Sequence, residues 1–560
     1  MITHFTGENY KAFKSFNLEI KPLTILLGAN SCGKSALINA LLMLSQTADS
    51  VLMSETALRL NGNKIGMGEA LNVVRDKNPE NELAFSFSFS LDETKALKSS
   101  LDSLRRDAIE AHFTIVRFVG QVFRANKISD YEFHSTIAEA DALFFSADRF
   151  SASQLKKISS LTCKILKLYR HHIKNIKRKV TPLIAVDDFL NKASFTKIND
   201  CFTTLSTWTI AALTPQQISY RFKYSKKEES LMITSFSCLN RTGEIILKLS
   251  KENKTTSLSS DLIEKKTLRN SQKDILALLN LDAFSIVKST VSQSLSPLGF
   301  FENSKNPFAS LIVRMIHTTT YHLIDSISDL NINHVNPLRA FPQRYYLLDK
   351  SMQHSKLNSL DGTELAEILK KNPEIKKNIN LLLAQFNIAV DVEKVNDIIH
   401  KIIVNQDAVD LELTDVGFGI SQALPILVQA YLSPRNSITI IEQPEIHLHP
   451  KMQAWLTDAL ISIALEGSKN FIIETHSDAL VRRIRLRIVD QSCALSEDNV
   501  GIYHLERDRN DNTSILKKIA ITADGDVQWP SEFMDVEIND TLLIQKLKLE
   551  KYISDNNEVH

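Results

Sequence analysis

Gly28-Ala29-Asn30-Ser31-Cys32-Gly33-Lys34-Ser35 is a complete phosphate-binding loop, and its flanks suit it. Upstream, Pro22-Leu-Thr-Ile-Leu-Leu27 is an apolar run of strand length. Downstream, Ser35 to Leu44 is a helix-forming run. A strand, a glycine-bracketed turn and a helix N-terminus together make an anion site, because backbone N–H groups converge where the helix dipole is positive. Gly28 and Gly33 open backbone angles that side chains close. Lys34 offers a point charge to the β- and γ-phosphates of a nucleotide. The Ser35 hydroxyl is a natural Mg²⁺ ligand. Cys32 reads as a small residue tolerated in the turn rather than as a reactive thiol.

The chain has 560 residues, enough for roughly two to four domains. Its net charge of +1 excludes a global field that would draw it to nucleic acid, so any basic surface is local. Five cysteines stand without metal spacing, which fits free thiols in a reducing cytoplasm. The N-terminus has neither a basic region nor a long apolar run, so no signal peptide is expected. No apolar run approaches the length of about 18 residues that spans a membrane.

The texture of the sequence changes near residues 92 and 330. Leu-Ala-Phe-Ser-Phe-Ser-Phe-Ser-Leu at 83–91 alternates apolar and polar residues, the mark of a half-buried antiparallel strand. Amphipathic helical segments then run to about Pro215. Strands follow at Tyr220–Tyr224 and 232–250, broken by a turn at 240–243, and helix returns from about Leu262 to Leu330. The expected order is an N-terminal lobe at 1–91, a mainly helical insertion at 92–330, a C-terminal lobe at 331–535 and a tail at 536–560. Within the insertion, Lys156 to Lys179 carries nine lysines and arginines and no acidic residue, with Tyr169, His171 and His172 among them. A basic rod of this kind suits a nucleic-acid backbone, and equally a solvated face or an acidic partner.

Four further segments complete the pattern. Leu413-Thr-Asp-Val-Gly-Phe-Gly-Ile-Ser-Gln422 places Gly417 and Gly419 before a helix, a second set of N–H groups at a positive dipole end. Ser437-Ile-Thr-Ile-Ile-Glu442 is an apolar strand ending in a carboxylate, the usual Mg²⁺-holding arrangement of phosphate-loop enzymes. It continues as Gln443-Pro-Glu445-Ile-His447-Leu-His449-Pro450. The two histidines lack a further partner at zinc spacing. Asn470-Phe-Ile-Ile-Glu-Thr-His476-Ser477 is another apolar strand, ending at His476, which is read as a γ-phosphate ligand. Arg339 and Arg344 sit in a proline-bracketed loop after a strand at 332–337, where pinning the loop is the favoured role over a phosphate contact.

In this order the segments resemble an ATP-binding-cassette head of the RecF, SMC and OLD branch. The likeness covers roughly 1–90 and 330–535. It implies an α/β fold, an ATPase head of mixed sheets with flanking helices, interrupted by the mostly helical insertion. Asp415 to Gln422 and the segment 524–535 further resemble bacterial AAA-type ATPases of defence loci, among them the ATPase subunit of Septu-type systems and its retron-associated relatives. The resemblance implies ATP and Mg²⁺ as cofactors, with Ser35 and Glu442 on the metal and residues 30–35 on the nucleotide. It implies heads that pair, Gly417, Gly419, Ser421 and Gln422 facing the ATP of the partner copy. The family's signature serine falls at Gly417, with Ser421 close by.

Where such ATPases usually have Asp-Glu, this chain has Glu442-Gln443. Gln443 takes the place of the general base, and an amide orients water without accepting its proton. Glu445 is a possible substitute two residues on. The expectation is slow hydrolysis and a long-lived ATP-bound dimer, or higher oligomer. It would restrain or license an HNH-type nuclease, and in retron-like versions would hold a reverse transcriptase and its RNA–DNA product through Lys156–Lys179. Two other functions remain open: a DNA-repair or SMC-like DNA-binding head, and an OLD-type nuclease using Glu506 with Asp524 and Asp526. Asp524-Gly525 reads as a hairpin turn, which argues against the latter.

Overall fold

The computed structural model describes residues 2–51, 56–145, 150–177, 186–252, 255–288, 298–302, 304–339, 341–347, 357, 362–508, 510–529 and 542–550. Contacts divide the chain into two units, one of residues 1–17 and 40–329, the other of residues 18–39 and 330–560.

The second unit carries the phosphate loop. Its main sheet has six strands in the order Ser514–Ile519, Val500–Arg507, Leu23–Gly28, Asn470–Glu474, Ile438–Glu442, Ile332–Val335. All neighbours are parallel except the first pair. Parallel strands need both faces covered, which explains the mostly apolar text of the three central strands. Thus Leu23–Gly28 and Asn470–Glu474 are buried at every residue. Helices Phe418–Leu432, Pro450–Gly467 and Asp478–Val489 belong to the same unit, and their apolar residues share one core with the strands. The core extends to a small antiparallel sheet of Tyr346–Leu347, Ile399–Gln406, Ile388–Lys394 and Val409–Glu412.

Register decides what the strand ends bring together. Glu442 stands opposite Glu474, and Glu474 opposite Leu26, two residues before the loop glycine. The strand between the phosphate-loop strand and the Glu442 strand therefore places a third functional end between them.

The first unit is built on a seven-stranded sheet. Ile2–Tyr10, Phe13–Glu19 and Leu83–Phe89 pair with a meander of Gln217–Ser225, Ser230–Leu239, Ile245–Glu252 and Thr255–Ser259. Alternation in Leu83–Phe89 turns Phe85, Phe87 and Phe89 inward, and Phe5 stacks on Phe85 and Phe87. The helices include Leu91–Ala125, Tyr131–Phe145, Ala152–His171, Phe195–Thr207, Lys265–Ala277 and Pro307–Ile327. Ser151 and Gln154 cap one of them reciprocally, and Asn306 before Pro307 caps another. No helix among the described residues is long and apolar enough to cross a membrane.

Candidate nucleotide-binding site

The strand ends at Gly28 with φ +142°, and Gly33 has φ +112°. A Cβ on Gly28 would lie 2.3 Å from the Leu505 carbonyl oxygen of the neighbouring strand. Glycine is therefore required twice over, by angle and by space. Helix Lys34–Asp49 begins directly after Gly33, whose carbonyl accepts from Leu37 N. Its free N–H groups and positive dipole end face the turn. Asn30, Ser31 and Ser35 are exposed, while Cys32 and Lys34 are buried. Burial raises the Cys32 thiol pKa, which suits an inert packing residue. Lys34 Nζ donates to Gly28 O at 3.0 Å and Ala29 O at 2.9 Å, and lies 3.8 Å from Glu474 Oε1.

Parallel register puts two carboxylates side by side at Glu442 and Glu474. Glu474 is pushed up to about 7, by burial first and by Glu442 next, while Lys34 and a Ser35 hydrogen bond pull the other way. Its Oε2 has no hydrogen-bond partner among the described residues. Glu442 Oε1 meets His334 Nε2 at 2.6 Å. His334 stands opposite Ile440, one period-two step from Glu442, so strand geometry accounts for the contact. Glu445 accepts from Thr475 Oγ1 and from His476 N, both at 2.7 Å. Both of its oxygens are thus spent holding the turn that presents His476. His476 itself is exposed, and partial desolvation and Lys34 hold its pKa below the usual imidazole value.

Gln443 adopts φ +46° and donates its backbone N–H to Glu474 O at 2.7 Å. A left-handed glutamine is uncommon, and such residues collect at functional turns. Arg339 Nη2 donates to Glu442 O at 3.0 Å and Gln443 O at 3.1 Å.

The donors fit Mg²⁺. Ser35, Glu442 and Glu474 are hard oxygen ligands beside a loop made for phosphate; the two carboxylates stand side by side, and Glu474 Oε2 is left without a partner among the described residues. Among the described residues no three His, Cys, Asp or Glu side chains form a metal cage alone. A cation here would draw oxygens from the nucleotide, as Mg²⁺ commonly does. His449 is a helix cap, its Nδ1 accepting from Lys451 N. His447 is exposed with φ +62°.

The second glycine segment opens helix Phe418–Leu432 with Gly417 as its N-cap. Gly417 is exposed, Gly419 half-buried, and Ser421 and Gln422 are buried. The surface of this segment is therefore Asp415 and Gly417 rather than the Ser421 side chain. Glu506 pairs with Lys517, and Asp524-Gly525 forms a turn in which Gly525 N donates to Thr522 O. Residues 530–535 lie outside the described residues.

In the basic stretch, Lys156, Lys164 and Lys167 are exposed on helix Ala152–His171, and Lys174 and Lys177 are exposed beyond its end. Lys157 pairs with Glu139, and Arg170 is spent on the Leu190 and Ala193 carbonyls. Tyr169 is buried and His172 meets Asp130, so neither is a free stacking platform. Arg178 and Lys179 lie outside the described residues.

A glycine-bracketed turn at a helix start, a strand-ending carboxylate and an intervening strand that ends in a histidine turn define a phosphate-loop ATPase head of the α/β class. The model of the AAA ATPase domain family (AAA_15) matches residues 1–481, and the chain belongs to that family. Membership implies nucleotide binding. No curated protein matches the sequence. Solved structures similar to the chain include the SmcHead bound to the C-winged helix domain of ScpA, at 10% identity, 93% of this chain, 98% of that chain and TM-score 0.35. The SMC head domain from Thermotoga maritima matches at 8% identity, 93% of this chain, 99% of that chain and TM-score 0.31. An Smc head domain with an extended coiled coil, bound to the C-terminal domain of ScpA derived from Pyrococcus furiosus, matches at 10%, 93%, 96% and 0.31.

Sequence reasoning named the loop, Glu442, Gln443, Glu445 and His476. It missed His334 as the partner of Glu442, and Glu474 as a site carboxylate. The signal for His334 was a pair of polar residues, Asn333 and His334, inside the short strand Ile332–Val335.

Proposed function

We propose that this chain is a slow, ATP-clamped head that pairs with a second copy and regulates a separate effector nuclease in anti-phage defence. The observation that carries the slow step is Gln443, one residue past Glu442 in the left-handed turn. The loop N–H groups and Lys34 hold the phosphates. Ser35 and Glu442 hold Mg²⁺, which supplies charge neutralisation at the transferring phosphoryl group. Gln443 orients the attacking water, and His476 reaches the γ-phosphate. With an amide in place of a carboxylate at that turn, proton removal is poorly assisted and the ATP state persists. Gly417 faces the nucleotide of the second copy.

The likeness of Asp415–Gln422 to defence ATPases supports the wider role, with an HNH-type nuclease as partner. Reverse transcriptase and its RNA–DNA product are the partners in a retron-like setting. Co-purification from the native operon tests this. The nuclease is expected to come down with the chain, and Lys34→Ala is expected to abolish phage protection. A chain that purifies alone from an operon giving no protection sinks the proposal. The exposed lysines favour a second reading, a head that binds nucleic acid by itself, for which ATP-dependent DNA binding without any partner protein is the test.

A further inference from the structure

One loop touches both ends of the hydrolytic machinery. It follows strand Ile332–Val335 and reaches Tyr346. At one end Arg339 holds the carbonyls of Glu442 and Gln443. At the other, Arg344 Nε lies 2.9 Å from Glu412 Oε2, and its Nη2 lies 3.6 Å from Asp415 Oδ1. Between these anchors Phe341, Pro342 and Tyr346 line one small cavity with Leu413, Ser421 and Pro425 of the second glycine segment and its helix. Gln343 N donates to Tyr346 OH at 3.1 Å, closing the loop on itself.

Arg339 is the unusual member. Only 4% of it is exposed. Among the described residues it makes no ion pair, and its Nε and Nη1 have no hydrogen-bond partner. A buried guanidinium hydrogen-bonded only to carbonyls costs folding energy, which attraction to the Glu445 carboxylate offsets in part. What the cation does hold is the pair of carbonyls that flank the left-handed bend at Gln443. A bend of that kind persists only when its surroundings over-determine it.

We propose that Arg339, as the positioning residue for the Glu442–Gln443 turn, and residues 341–347, seated against the 412–422 segment, together link that turn to that segment. The link makes the water-orienting turn of one ATP site respond to engagement of Gly417 at the other. It rests on the head-pair reading above. Arg344 is exposed, so its ion pairs add little stability. Their role is to set the loop's position.

A double-mutant cycle tests the link in the full chain. Arg339→Lys keeps the charge and loses the guanidinium geometry, and Arg344→Ala changes an exposed residue, so both variants are expected to fold. Nucleotide affinity is read with a fluorescent ATP analogue, and hydrolysis by single-turnover release of labelled phosphate. Each single variant is expected to leave affinity and KM within about twofold and to slow hydrolysis at least about fivefold. The double variant is expected to be no slower than the slower single, because both cut the same link. Wild-type hydrolysis in Arg344→Ala overturns the proposal, as do effects that multiply in the double, or a loss of affinity that parallels the loss of rate. Light scattering with ATP separates the two readings. A wild-type dimer with a multiplicative cycle overturns the link alone. No dimer overturns the head pair and the link with it.

Discussion

On the proposed reading, a single atom at Gln443 decides the chemistry. A carboxylate there would accept the proton of the attacking water, and the amide cannot. Glu445 is committed to holding the His476 turn, where it accepts from Thr475 Oγ1 and from His476 N. Gln443→Glu is therefore expected to raise kcat at least about tenfold, a modest share of what a general base contributes. KM for ATP stays within about twofold, because Gln443 is not a phosphate ligand. Steady-state phosphate release measures both, and an unchanged kcat removes Gln443 from the base position. A second residue, His112, sets a pH limit on stability. It lies fully buried against Phe202 and Phe301, and burial pushes its pKa down to about 4. The unfolded imidazole takes its proton near pH 6.5. Between those values the unfolded state binds more protons, so stability is complete above about pH 6.5 and falls as pH drops towards 4. The full loss from this group is about 3 kcal/mol. Denaturant midpoints at pH 7 and pH 5 check it. The wild type should lose ground to His112→Leu as pH falls, and equal slopes would contradict the assignment.

At the scale of elements, the phosphate-loop strand depends on its neighbour. Gly28→Ala sets a methyl carbon 2.3 Å from Leu505 O and forces φ +142° on a side chain. The expected cost is roughly 2 kcal/mol or more, read as a lower Tm without nucleotide, together with weakened nucleotide binding. The strand, the turn and the helix were legible because each is written locally: an apolar run, two glycines, a helix-forming run. The strand ends at Glu442 and Glu474–His476 were legible for the same reason. What these ends meet was not. His334 reaches Glu442 only because Ile332–Val335 pairs in parallel beside Ile438–Glu442, and that register spans about a hundred residues of chain. Glu474 owes its raised pKa first to burial in the sheet and next to Glu442 on the paired strand. Arg339 was visible as a loop residue, but its acceptors lie on the turn after another strand. In the other unit, Leu83–Phe89 reads as a strand from its alternation, while its partner Gln217–Ser225 lies beyond six α-helices of the described residues. Local text specifies an element; pairing across long separations is set by packing that no local window contains.

At the scale of the whole molecule, the test of pairing falls on Gly417. A Cβ built there meets nothing within 4 Å, and the residue is an exposed N-cap with negative φ. Gly417→Glu therefore costs little within one copy, since glycine is only modestly favoured at this position. Nor does it touch the chain's own phosphate loop, so nucleotide affinity should stay within about twofold. If Gly417 faces the γ-phosphate of a second copy, however, the new carboxylate meets a like charge in a desolvated interface, which costs several kcal/mol. ATP with Mg²⁺ is then expected to convert the wild type to a dimer by light scattering, and to leave Gly417→Glu monomeric with wild-type Tm in the absence of nucleotide. By linkage a dimer held by ATP would bind ATP more tightly than the monomer, so ATP should raise the wild-type Tm more than that of the variant. Lys34→Ala should fail at the earlier step, losing the nucleotide itself. A Gly417→Glu chain that still dimerises with ATP would mean that the glycine segment does not face the second nucleotide, whatever else joins the copies.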